Sequence, residues 1–592
     1  MNLLSPGWCF CQSLTRAGAR KGIYGVKAKA AAAEHSAAPH GTGAGISAAH
    51  PVGANETGEG RRERNLRVLA ILIVAAGFVI RLVFSSRSFF NPDEALLYLF
   101  SDQNSLWEAY RASLGTAHPP LLILFLYFWK FLGRSELMLR LPSVVAGAGF
   151  CWFTFRWVET ALGRTAGLIA LAVVAFSPTM IGIAIELRQY SLLLFFMAGA
   201  LYYLESAIRE ASAGKMLWFV LFEYLAILTH YSAIFFVVAA GVYALVRLAE
   251  RRLPGKAVAA WVAGECGAAG IYAVLFVTHV WKVRSVIPVW AGGYNQFFFR
   301  GGFADIFGFL RERTPPVFQY FFGEKYVAQV MLVLWIAALA MLLVRGLFRQ
   351  RGDGHSTTSL GLLLLLPFLA LWGAVAIGKY PYYPGRHVVV LAPFAIAAVS
   401  ALLATLVRQK VWAGLALAAL VTVVASTAGY ASDSFPITPD QRRDLMTAAV
   451  RYIRQNIPAN EPILLDNQSS MVAAYYLCAP GEAGAFYGTE QELVPFRCEG
   501  HSYTALNYRA WMLTDKNLPA KFRKLAQERD LKAGSRVWIV QFSWRADLDA
   551  DLRENLPEFR CLVSARFGKE IAVFPLVVGP DLSPAPVAPC GK

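Results

Sequence analysis

The sequence predicts an all-α polytopic membrane protein of about eleven transmembrane helices, followed by a small extracytoplasmic α/β domain. Three observations carry this. Of 592 residues, 56% are hydrophobic and 16% are charged, against about 25% charged in soluble domains. Apolar stretches of bilayer length, roughly 17–25 residues, recur between residues 66 and 430. After residue 430 the pattern changes to a helix signal followed by short apolar strand signals. The mean hydropathy of +0.44 agrees. A net charge of +17 in such a chain reads as basic cytoplasmic loops, not as nucleic-acid binding. No zinc-type Cys/His spacing occurs.

Residues 1–65 precede the membrane region. They are rich in Ala, Gly and Ser and read as a disordered cytoplasmic tail; a targeting role for Arg16, Arg20 and Lys21 is the weaker reading. The first span, 66–84, is too long for a signal-peptide core and follows Arg61, Arg62, Arg64 and Arg67, so it enters from the cytoplasm. The further spans fall at 137–157, 165–183, 191–208, 216–228, 232–248, 257–281, 326–344, 360–377, 388–406 and 411–430. The apolar run Pro119–Leu132 is short for a span. Placing it in the interface keeps Arg251, Arg252, Lys256, Arg349 and Arg351 inside, as the positive-inside rule requires. The N-terminus is then cytoplasmic and the C-terminus extracytoplasmic, with interfacial segments at 91–133 and 283–325. In the second of these, the Phe297–Phe299 stripe reads as membrane packing.

The last domain, 431–592, shows a helix at 441–456 and strands at 462–466, 537–540 and 571–574. It contains Cys478, Cys498, Cys561 and Cys590. One or two disulfides are open to it, with undetermined connectivity, and so are free thiols.

Polar clusters gather on the outer side of this topology: Asn91-Pro92-Asp93-Glu94, His118-Pro119-Pro120, Glu186-Leu187-Arg188-Gln189-Tyr190, His230, and the loop Lys379–Arg386. Charges are expensive next to hydrocarbon, so several at one interface suggest a site. Each has a blander explanation. Asp93 could cap the following helix, and His118-Pro119-Pro120 could simply start one. Arg188 could snorkel to the headgroups. His230 could be a satisfied turn residue, and Lys379 with Tyr382 and Tyr383 could be interface anchors.

Taken in order, the motifs resemble those of the C-type polytopic membrane glycosyltransferases of the protein O-mannosyltransferase and aminoarabinose transferase superfamily (glycosyltransferase family 39-like). The resemblance covers about residues 66–430. It rests on Asp93-Glu94, His118-Pro119-Pro120, Arg140-Leu141-Pro142-Ser143, Gly163-Arg164, Arg188 with Tyr190, and Arg386-His387 before Pro393. It implies the C-type architecture and transfer of a sugar from a polyprenyl-phosphate-linked donor to an acceptor hydroxyl on the extracytoplasmic face, with inversion. A carboxylate takes the acceptor proton and cations stabilise the leaving phosphate. On this resemblance Asp93 and Glu94 are the catalytic residues, and His118, Glu186, Arg188, Tyr190, His230, Lys379 and Arg386 bind the donor phosphate or substrate. Glu186 departs from the family pattern by standing two residues before Arg188. The implied partners are a polyprenyl-phosphate sugar lipid, a protein, lipid or glycan acceptor, and the bilayer, with the chain in the plasma (inner) membrane. No cofactor is called for, and a divalent metal is left open. The sugar and acceptor are also left open. The competing reading is a lipid or sugar flippase or transporter. Against it, no internal repeat is evident and the polar residues sit in outer loops, not at the mid-plane.

Overall fold

The computed structural model describes residues 58–251, 253–283, 296–348, 357–409, 413, 441–479, 493–506, 524, 526–528, 530–542, 559–561 and 565–578. The expected tail up to residue 57, the expected span at 411–430 and Cys590 lie outside these. The chain separates into Met1–Gly60 and Arg61–Lys592; the account below concerns the second.

Helix α1 (Gly58–Arg87) leaves Val68, Leu69, Ile71 and Leu72 exposed along one side, as a lipid-facing helix would. Three short helices follow: α2 (Pro92–Ser101), α3 (Leu106–Ser113) and α4 (Leu121–Trp129). Nine residues of α4 rise only about 14 Å, against about 30 Å of hydrocarbon, so this helix alone is too short to span. Then come α5 (Glu136–Leu162), α6 (Arg164–Phe176), α7 (Pro178–Ile185), α8 (Gln189–Glu210), α9 (Ala213–Thr229), α10 (Ala233–Glu250) and α11 (Gly255–Leu275). Helices at Ile306–Phe322, Lys325–Phe348, Thr357–Ala376 and Ala392–Arg408 complete the bundle; a 3-10 turn, Arg386–Leu391, leads into the last.

Among the described residues, 8 helices are long and apolar enough to span, or up to 9 if the bent pair α6–α7 is one span. This differs from the eleven expected. The run at 165–183 is broken by 56° between Phe176 and Pro178. The run at 216–228 becomes α9, of 17 residues, slightly short of a bilayer. The run at 411–430 is outside the described residues.

The break has a physical cause. Pro178 has no N–H, so it cannot bond the carbonyl of Val174. Arg81 of α1 supplies the missing donors, with Nη2 donating to Val174 O at 3.0 Å and Nη1 to Ala175 O at 2.9 Å. Ser177 Oγ donates to Phe321 O at 3.2 Å, which ties the break to the helix Ile306–Phe322. Close helix approach elsewhere uses glycine. A Cβ on Gly199 of α8 would lie 2.3 Å from Phe222 of α9, and one on Gly264 of α11 would lie 2.3 Å from Val220. In lipid, where packing and not water drives association, such small residues let backbones meet.

The C-terminal domain is an α/β unit. Its strands are β1 (Ile463–Leu465), β2 (Leu493–Cys498), β3 (His501–Leu506), β4 (Arg536–Phe542), β5 (Phe559–Cys561), β6 (Ala565–Arg566) and β7 (Ile571–Val578). Their order is β2-β3-β1-β4-β7-β5, with β6 also on β7. β1 runs parallel to β3 and β4, and the other pairs are antiparallel. β2 and β3 form a hairpin whose turn residues, Glu499 and Gly500, both have positive φ, as a type I′ turn requires. Helices Arg443–Asn456 and Asn467–Leu477 pack on the sheet. Cys478 and Cys498 form a disulfide.

This domain docks on α2 and on the start of α5. Phe90 N donates to the Tyr476 hydroxyl at 2.8 Å, Tyr475 OH donates to Arg134 O at 2.8 Å, and Phe89 N donates to Gln441 O at 3.2 Å. Tyr476 also donates to Glu136. One apolar core runs without interruption from α2 and α4 into the sheet.

Glu94 and Arg140 fix the junction. Both side chains are about 1% exposed. Arg140 Nε and Nη2 each reach a Glu94 oxygen at 2.7 Å. The rest of the guanidinium caps the end of α1, donating to Ser85 O, Ser88 O and Phe89 O at 2.8–2.9 Å. Removing one partner of a buried pair costs about 3–5 kcal/mol, because the other charge is stranded. Arg140→Leu is therefore expected to lower the thermal unfolding midpoint sharply, and Glu94→Leu added to it should restore part of the loss. Unfolding of Arg140→Leu at the wild-type temperature would contradict this role.

Candidate active site

The chain enters α2 through a capping box. Asn91 Oδ1 accepts from Glu94 N at 3.0 Å, and Glu94 Oε2 accepts from Asn91 N at 3.1 Å. Pro92 occupies the first turn, where its missing N–H is not needed. Asn91, not Asp93, is thus the cap, and the Asp93 side chain is left to other partners.

Those partners are two arginines. Asp93 Oδ2 lies 3.2 Å from Arg188 Nη1 and 2.5 Å from Arg386 Nη2. Arg188 is 5% exposed, at the entry to α8, and Arg386 opens the 3-10 turn before the last described span. Both guanidinium carbons also stand over the Tyr190 ring, at 5.8 and 5.9 Å, within cation–π range. Burial raises the Asp93 carboxyl, but Arg188 and Arg386 together outweigh it and hold the group below the usual aspartate value.

Glu186 faces the same cluster at the end of α7. Asn91 Nδ2 donates to its Oε1 at 3.4 Å. Burial, then the charge of Glu94, pushes its carboxyl up to about 7, against the pull of Arg386 and Arg188.

Two histidines form the opposite wall. The rings of His118 and His230 are 5.0 Å apart, and Tyr190 is 5.1 Å from His230. Burial, aided by the neighbouring cations, lowers His230 to about 3 and takes His118 well below its usual value. Both are therefore neutral near pH 7. Ser232 N donates to His230 Nδ1 at 3.0 Å, which puts the ring proton on Nε2. His118 is held by its own loop: His118 N donates to Thr116 Oγ1 at 3.2 Å, and His279 Nε2 meets Thr116 O at 2.8 Å. Buried His230 Nε2, His118 Nδ1, Arg188 Nε and the Tyr190 hydroxyl have no hydrogen-bond partner among the described residues. Buried polar atoms are nearly always paired, so a group of four unpaired ones at one site is what a polar ligand would satisfy.

The structure thus brings together Asp93, Glu186, Arg188, Tyr190, His118, His230 and Arg386. Two of the expected residues stand apart. Glu94 is turned away from the cluster's open side: both oxygens are taken by Arg140, and Oε1 also accepts from Leu187 N at 2.7 Å. With no free lone pair facing substrate it positions the loop before Arg188, a correction to the catalytic role expected of it. Lys379 is exposed, and no contact among the described residues ties it to the cluster. Sequence reasoning gave no role to Asn91, whose Asn-x-x-Glu spacing is a capping-box signal. Nor did it give one to His387, which burial, then the charges of Arg386 and Arg188, lowers to about 4. No group of three or more His, Cys, Asp or Glu able to hold a metal ion occurs among the described residues.

Residues 117–291 match the dolichyl-phosphate-mannose-protein mannosyltransferase family. No curated protein matches the chain. Among solved structures it is similar to ArnT from Cupriavidus metallidurans bound to undecaprenyl phosphate, at 17% identity and TM-score 0.48, over 85% of this chain and 97% of that one. It is also similar to the oligosaccharyltransferase AglB from Archaeoglobus fulgidus, in complex with an inhibitory peptide and a dolichol-phosphate, at 10% identity and TM-score 0.47, over 81% and 70%. The matched segment, residues 117–291, contains His118, Glu186, Arg188, Tyr190 and His230 of the cluster, and it is over this segment that the chain is similar to the dolichyl-phosphate-mannose-protein mannosyltransferase family.

Proposed function

We propose that the chain transfers a sugar from a polyprenyl-phosphate donor to an acceptor hydroxyl on the extracytoplasmic face, with Asp93 as general base and Arg188 and Arg386 as the phosphate site. The observation that supports this most is the sharing of one Asp93 oxygen by both arginines. A donor phosphate offers the same two guanidinium groups a stronger, multidentate counter-charge. As the phosphate takes them, Asp93 is released from its ion pairs and its basicity rises. The same event that seats the donor thus arms the base.

The acceptor O–H then gives its proton to Asp93 while its oxygen bonds to the anomeric carbon. The bond from that carbon to the phosphate oxygen breaks, and its electron pair leaves on the phosphate, where Arg188 and Arg386 stabilise it. Attack opposite the leaving group inverts the anomeric carbon. The neutral His230 Nε2–H is a donor for the phosphate or a sugar oxygen, and Tyr190 keeps both guanidinium planes in place. The basic loops support the outer-face location. The far ends of the helices carry Arg156, Arg164, Arg209 and Arg251, with Arg251 donating to the carbonyls of Ile208 and Arg209.

Two outcomes test this reading. Asp93→Asn is expected to cut turnover by about 10²–10⁴-fold, yet to bind a polyprenyl phosphate at least as tightly as wild type, because a competing carboxylate is gone. Near-normal turnover in the folded variant would remove Asp93 from the base role. The second concerns pH. Glu186, raised to about 7, is neutral below that pH and anionic above it, beside the phosphate site. Affinity for a phosphodiester donor analogue should therefore fall as pH rises through about 7, by up to about tenfold for one unit of pKa coupling. Glu186→Gln should flatten the profile, and an unchanged profile in that variant would exclude Glu186 as its origin.

A further inference from the structure

A second cavity opens at the same end of the molecule, between the α/β domain and the start of α5. It encloses about 660 Å³, inside the range of roughly 300–1,000 Å³ typical of small-molecule sites. Its wall is basic and aromatic. Arg134 comes from the α4–α5 turn, Arg443, Arg451 and Arg454 from one helix of the α/β domain, and Tyr475 and Tyr476 from the other; Glu136 is the acidic residue of the lining. Arg443 Nε pairs with Glu136 at 2.6 Å, and Arg454 with Glu499 at 2.7 Å. Arg451 forms no ion pair among the described residues and is exposed. Arg134 reaches Asp102 through Nη2 at 3.3 Å, while its buried Nη1 makes no hydrogen bond among the described residues.

Tyr475 and Tyr476 present crossed rings with centroids 4.7 Å apart. Flat aromatic faces suit the C–H faces of a sugar ring, and guanidinium forks suit a phosphate or carboxylate. The cavity also lies beside α2: Tyr98 is in its lining, five residues or about 7.5 Å of helix rise beyond Asp93. Tyr476 of the lining accepts from the N–H of Phe90, three residues before Asp93.

We propose that this cavity binds the anionic saccharide portion of the acceptor, a sugar carrying a phosphate or carboxylate, and so holds the acceptor against the outer end of α2 while a distant hydroxyl reaches Asp93. This rests on the transferase reading above and adds to it the chemical class of acceptor.

The test uses full-length protein in nanodiscs, with binding measured calorimetrically for glucose 6-phosphate, glucuronate and glucose. The two acidic sugars should bind and glucose should not. Arg451→Gln and Arg443→Gln should each weaken glucose 6-phosphate binding by about tenfold, the scale of a charge-assisted contact, and Arg451→Glu should abolish it. Arg188→Ala should leave this binding in place while weakening that of farnesyl phosphate, a probe for the donor site. Loss of glucose 6-phosphate binding in Arg188→Ala, with retention in Arg451→Gln, would place the sugar at the donor site and overturn the proposal. Displacement by phosphatidylglycerol in the nanodisc would assign the anion to a lipid headgroup and overturn the sugar assignment. A failure of acidic sugars to bind wild type would also overturn it, and would leave the roles of Asp93, Arg188 and Arg386 untouched.

Discussion

The buried ion pair between Glu94 and Arg140 is the constraint on which the geometry of the site depends. Arg140 projects from α5 and gathers the loose carbonyls at the end of α1, while Glu94 closes the capping box that starts α2. The same carboxylate receives the Leu187 N–H. Four chain segments therefore meet at one pair, and Asp93 and Arg188, one residue to either side of its contacts, have little freedom to separate. A charge pair this dry gains little net stability over a well-packed apolar substitute. What it supplies is registry, since a stranded partner is far more costly than a slightly misplaced hydrophobic contact.

A second pairing works in the opposite sense. Asp93 with Arg188 and Arg386 is partly open, with Asp93 about 23% exposed, and in the proposed function its charges are exchanged for those of a ligand. The site thus sets a rigid pair beside an exchangeable one. The neutral histidines fit this arrangement. Cations at His118 and His230 would compete with the arginines for a phosphate and would be expensive in a buried pocket. Burial keeps both rings uncharged, so the positive charge is concentrated on Arg188 and Arg386.

Much of this was legible in the sequence. The long apolar runs gave the spanning helices within a few residues, because bilayer thickness dictates their length. The shortness of Pro119–Leu132 agrees with the nine-residue helix α4, and the polar clusters that the basic loops assign to one side do meet in the fold. The kink at Ser177-Pro178 sat inside an apolar run, where hydropathy does not register it, although Pro178 was the local signal. The division of labour between Asp93 and Glu94 was not legible. Adjacent carboxylates look equivalent in a string, yet neighbours on a helix point about 100° apart, so one met Arg140 and the other met Arg188 and Arg386. Lys379 looked suitable as a cation near the outer face, but proximity in sequence to Arg386 did not bring it to the cluster. The β2–β3 hairpin escaped because its Glu499-Gly500 turn is not among the strong hairpin pairs. Pairing of Cys478 with Cys498 depends on that hairpin and on the helix Asn467–Leu477, so spacing did not reveal it.

The exchange of counter-charge at Asp93 is the central claim, and a structure of the full chain with a bound polyprenyl phosphate tests it most directly. The account predicts the phosphate within hydrogen-bond distance of both Arg188 and Arg386, Asp93 Oδ2 released from each, and the Glu94–Arg140 contacts unchanged at 2.7 Å. A phosphate bound elsewhere, with Asp93 still paired to both arginines, would contradict it.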